Sequence, residues 1–66
     1  MLFIGTTDET LTEFSGVPMQ KTFAEAEANA RKLMHSTGKQ GLVYLVDKIG
    51  LDEYRVQRTY HLPLSI

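Results

Sequence analysis

The sequence predicts an α+β domain in which one amphipathic helix packs on a small antiparallel sheet, with element order ββαββ or βαββ. Three observations carry this reading. A capped, periodic helix signal fills the middle of the chain, two strand-like runs joined by a turn follow it, and a short apolar run opens the sequence. With 66 residues the chain has room for one small domain, residues 1–66.

The opening run LFIGT, Leu2 to Thr6, is apolar and ends at a glycine and a polar cluster, the pattern of a first strand. TTDET then supplies turn formers. LTEFSGVP alternates weakly, with Leu11, Glu13 and Ser15 on one side and Thr12 and Phe14 on the other, so it is a candidate second strand. Gly16 and Pro18 would end it, because Pro cannot donate to a ladder and Gly weakens one.

TFAEAEANARKLMHSTGK carries the helix. Thr22 is followed three residues later by Glu25, the spacing of a capping box. Phe23, Ala26, Ala30, Leu33 and Met34 recur at three- and four-residue steps and share one face. Glu27 and Arg31 form an i, i+4 pair in the favourable order, worth a few tenths of a kcal/mol. Gly38 follows the last turn, and Lys39 sits just beyond it near the negative end of the helix dipole. Alanine at 26 and 30 allows a close approach to the sheet.

LVYLV, Leu42 to Val46, is apolar on both faces. DKIGLDE is a loop centred on Gly50, and YRVQRTYHL returns as a strand, so the pair forms a β-hairpin. Pro63 ends the second strand and leaves LSI as a tail.

Composition narrows the function. A chain this short buries only about 60% of the surface its unfolded form exposes, so it commonly needs extra support. Cysteine is absent, which removes disulfides and thiolate metal sites. His35 and His61 are far apart with no helical ligand spacing. No cofactor is therefore expected, and oligomerisation, as a homodimer, is the support that remains. The net charge is −1 and the pI about 6.0, which gives no global basic field for nucleic acid. The N-terminal residues lack the basic region of a signal peptide, and LVYLV is far too short to span a membrane. The expected compartment is the cytosol.

Catalytic motifs fail on inspection. HSTGK resembles the end of a phosphate loop, but Leu33 stands where that motif needs its first glycine. The stretch also falls at a helix C-terminus, where carbonyls repel phosphate. Ser15, Ser36 and Ser65 have no nucleophile-elbow context. Asp8–Glu9 and Asp52–Glu53 fall in turns, where carboxylates are solvated. The expectation is a protein without enzymatic activity.

The stretch EYRVQRTYH concentrates aromatic and basic residues. Strand alternation puts Tyr54, Val56, Arg58, Tyr60 and Leu62 on one face and Arg55, Gln57, Thr59 and His61 on the other. The first face suits the helix and the second suits water. Separation of most cations from the tyrosines argues against a base-stacking platform. One helix covers one side of a sheet, so the other side of LVYLV is left apolar. Either the N-terminal segment folds across it or a partner does.

Two functions follow as expectations. The first is a stoichiometric binding protein, an inhibitor, adaptor or sequestering protein of bacterial or bacteriophage type directed at a host factor. It would be a homodimer with Tyr44 in the contact and Arg55, Gln57 and His61 at its rim. The second is a nucleic-acid or nucleotide binder using Lys48, Arg55, Arg58 and His61.

Overall fold

The computed structural model describes residues 1–14 and 16–62. Ser15, Pro63 and the LSI tail lie outside the described residues. The elements are β1 (Leu2–Thr6), α1 (Phe23–Thr37), β2 (Leu42–Lys48) and β3 (Tyr54–His61). The strands form one antiparallel sheet in the order β1-β2-β3. The architecture is the βαββ form of the expected α+β class.

The helix begins and ends where its local chemistry directs. The Thr22 hydroxyl accepts the Glu25 N–H at 3.2 Å and donates to the Glu25 carboxylate at 3.1 Å. At the other end Gly38 adopts φ 71° and its N–H reaches the Met34 carbonyl at 2.9 Å, a left-handed cap that suits a residue without a Cβ. HSTGK is thus the end of a helix, as its sequence position implied. Ala26 and Ala30 are fully buried. They meet β1 at Gly5, where an added Cβ would lie 1.9 Å from the Ala26 carbonyl oxygen. Small residues on both sides bring helix backbone against strand backbone.

No strand forms over Leu11–Phe14 or Gly16–Pro18. Instead Leu11, Phe14, Val17 and Met19 pack on the sheet face opposite the helix, over Ile4, Leu42, Tyr44 and Val46. Their spacing does not alternate, so a regular strand would turn some of them to water. An irregular strap buries all four at least in part. At its end Gln20 returns to the outer edge of β1, exchanging backbone hydrogen bonds with Phe3 at 2.8 and 2.7 Å. The sheet is therefore covered on both faces, by α1 on one and by Leu11, Phe14, Val17 and Met19 on the other.

That double cover explains a departure in β3. Leu45 faces Arg58 and Val46 faces Val56, so Gln57 is an extra residue, a β-bulge. The bulge breaks the alternation expected for EYRVQRTYH. Tyr60 and Leu62 go to the helix face with Val43, while Val56 joins the strap face. Unbroken alternation would have put Arg55 and Gln57 under the strap and left that face short of apolar groups.

Candidate functional site

The six candidate residues do not converge. Tyr44 is 5% exposed and belongs to the core beneath the strap. Its hydroxyl donates to the Asp8 carbonyl at 2.8 Å. Burial pushes its pKa above the ordinary 10.0, and the nearby Asp8 and Glu9 carboxylates push it the same way, while a backbone hydrogen bond at Leu11 opposes them. Tyr44 is a strap anchor, not an exposed contact.

The remaining five are exposed but lie on different faces. Arg55 is opposite Asp47, and Arg58 is opposite Leu45, on the helix side of the sheet. Gln57 donates to the Asp47 carboxylate and so turns to that side as well. His61 is opposite Leu42, on the strap side. Lys48, opposite Tyr54, is also on the strap side but at the other end of the hairpin. The expected outer row of Arg55, Gln57 and His61 is split by the bulge, because one extra residue reverses which face follows it. The two tyrosines separate too: Tyr60 stacks edge-on against Phe23 at 5.3 Å, and Tyr54 meets Phe14 of the strap at 6.3 Å.

What the split leaves on the helix side is a small face of net positive charge, Arg55 and Arg58 with the Gln57-bound carboxylate of Asp47. Helix α1 lies over β1 and β2 and touches β3 through Phe23 on Tyr60. Arg55 and Arg58 stand beyond that cover. Among the described residues neither has a carboxylate within salt-bridge distance; the pair that forms is Arg31 with Glu27 on the helix.

The turn between β2 and β3 carries a feature that the sequence reading passed over. Ile49 is 54% and Leu51 87% exposed, and both flank Gly50 at the hairpin tip. The Ile49 and Gly50 N–H groups share the Glu53 carbonyl at 2.9 and 3.3 Å, so the turn is ordered. Between tip and strap lies an open cleft of about 320 Å³, lined among others by Phe14, Ile49 and Tyr54 with the carboxylates of Glu13, Asp52 and Glu53. A signal was present: two branched aliphatic side chains in a segment otherwise made of turn formers.

The chemistry of the molecule is sparse. No group of three His, Asp or Glu side chains able to hold a metal occurs among the described residues. No described helix is long and apolar enough to cross a membrane. Comparison with protein-family models, curated proteins and solved structures finds no match to this chain.

Proposed function

We propose that this protein is a non-catalytic binding protein that acts by stoichiometric contact with a protein partner, using the β2–β3 tip as its anchor. The observation that carries the reading is the exposure of Ile49 and Leu51 on an ordered turn. In a chain with so few apolar residues to spare, two aliphatics kept in water at a projecting turn ask for a use. Burying one such side chain in a partner's pocket supplies about 1.5–3 kcal/mol. The turn is already fixed, so little ordering entropy offsets that gain. Glu13, Asp52 and Glu53 beside it favour a pocket rimmed by lysine or arginine, and they disfavour nucleic acid and anionic lipid.

This reading favours a different protein over a second copy. The sheet face whose exposure suggested a homodimer is filled by the strap, and two acidic tips repel each other. The test is site-specific photo-crosslinking from position 51, with Ala28 on the exposed helix surface as the control position. The protein captured from position 51 alone is then purified and titrated with the wild type and with Leu51→Lys. The substitution is expected to weaken binding by tenfold or more, in line with about 1.5–3 kcal/mol for one buried side chain. Identical products from both positions, or unchanged affinity in Leu51→Lys, would sink the proposal.

A further inference from the structure

The two edges of the sheet are treated differently. On β1 three outward groups are occupied: Phe3 exchanges both of its backbone hydrogen bonds with Gln20, and the Gly5 carbonyl accepts the Asn29 side-chain amide at 3.0 Å. On β3 no described strand or side chain plays that part. The Leu62 N–H reaches back to the Gly41 carbonyl, so Leu62, Tyr60 and Arg58 direct their backbone groups toward β2. By the same alternation Thr59 and His61 direct theirs outward.

We infer that the outer edge of β3 binds an extended acidic segment of a protein, adding it as a further antiparallel strand. Charge chooses the occupant. β3 holds Arg55, Arg58 and His61 and no carboxylate, so every Asp and Glu of the chain lies outside it. A strand paired to Thr59 and His61 sends alternate side chains to the helix side, beside two arginines that, among the described residues, have no carboxylate within salt-bridge distance, the Asp47 carboxylate opposite Arg55 being held by Gln57. Carboxylates spaced two residues apart would meet them, and backbone pairing would supply the rest of the contact. A second copy fits poorly. Its own arginines would come against these, and the Gln57 bulge bends the edge away from flat self-pairing. This surface is separate from the hairpin tip, and neither reading depends on the other.

The test is an amide-resolved NMR titration of the full chain. The probes are a synthetic peptide of alternating glutamate and valine, its lysine–valine counterpart, inorganic phosphate, and a single-stranded oligonucleotide. The acidic peptide is expected to shift Thr59, His61, Arg55 and Arg58, and its affinity is expected to fall as salt rises. Arg55→Glu with Arg58→Glu should weaken it about tenfold or more, since it replaces two attractive contacts by two repulsive ones. Where reversal disturbs folding, Arg55→Gln with Arg58→Gln replaces it. Thr59→Pro removes an outward N–H that β2 does not use, so it should abolish binding with helix and sheet signals intact. Any one of five results overturns the inference: no shift with the acidic peptide, equal binding of the lysine peptide, binding that survives Thr59→Pro, binding matched by phosphate or oligonucleotide, or β3 shifts that grow with protein concentration alone.

Discussion

At the scale of single residues, Gly5 decides how close the helix can come. An added Cβ there falls 1.9 Å from the Ala26 carbonyl oxygen and 2.9 Å from the Ala30 nitrogen. Both are backbone atoms of a helix, so no flexible side chain can move aside. The helix must lift as a body, and lifting it opens the packing of Ala26, Ala30 and Val43, all fully buried. Overpacking a core typically costs about 1–3 kcal/mol, and rigid backbone on both sides puts Gly5→Ala at or above the upper figure. For a domain this small that lowers the melting temperature by roughly 12 °C or more. A thermal melt followed by circular dichroism measures it. A Gly5→Ala protein that melts within a few degrees of the wild type would show that the close approach is not a constraint.

At the scale of elements, the helix was readable because its signals are local. Thr22 and Glu25 satisfy each other within one turn, and Gly38 closes the last turn by its own backbone conformation. Strand β3 was not readable to the same depth. Its face pattern depends on whether one or both sides of the sheet are covered, which is a tertiary fact. Tyr54, Val56, Tyr60 and Leu62 share one parity in sequence, yet the molecule needs apolar groups on both faces. The bulge at Gln57 reconciles the two, and in doing so it moved Arg55 and His61 to different sides. Leu11 and Phe14 form no strand for a related reason: with Val17 and Met19 they are held by the sheet and not by a ladder of their own. The bulge makes a testable distinction. Deleting Gln57 leaves Val46 opposite Val56 and Leu45 opposite Arg58 in a regular ladder. Deleting Thr59 instead would bring Arg58 opposite Tyr44 beneath the strap, unless the strand slips. The Gln57 deletion should therefore keep the fold and be the more stable of the two by at least about 1 kcal/mol. Its straighter edge should also raise self-association in sedimentation. Equal losses from both deletions would mean that the bulge does not set the register.

At the scale of the whole molecule, a three-stranded sheet is held between an ordered helix and an irregular strap, and the strap is the weaker cover. Its closure rests on apolar contacts, on the backbone bonds of Gln20 with Phe3 at its end, and on a side-chain tie, the Tyr44 hydroxyl on the Asp8 carbonyl. Burial, then the Asp8 and Glu9 charges, hold the folded-state pKa of Tyr44 above its unfolded value of 10.0. The neutral phenol is thus the form that the fold prefers. Its contribution is complete below the unfolded pKa and is lost as pH rises through the folded one. Tyr44→Phe removes both the tie and the titration. Below about pH 9 the variant should run parallel to the wild type and lower by about 1 kcal/mol, the net worth of a hydrogen bond. Above pH 10 the wild type should fall more steeply, so the two stability curves converge. Denaturant unfolding across that range measures both parts. Curves that stay parallel to the alkaline limit would mean that Tyr44 does not report the strap. A constant gap of zero would mean that the apolar contacts of Leu11, Phe14, Val17 and Met19 close the sheet without it.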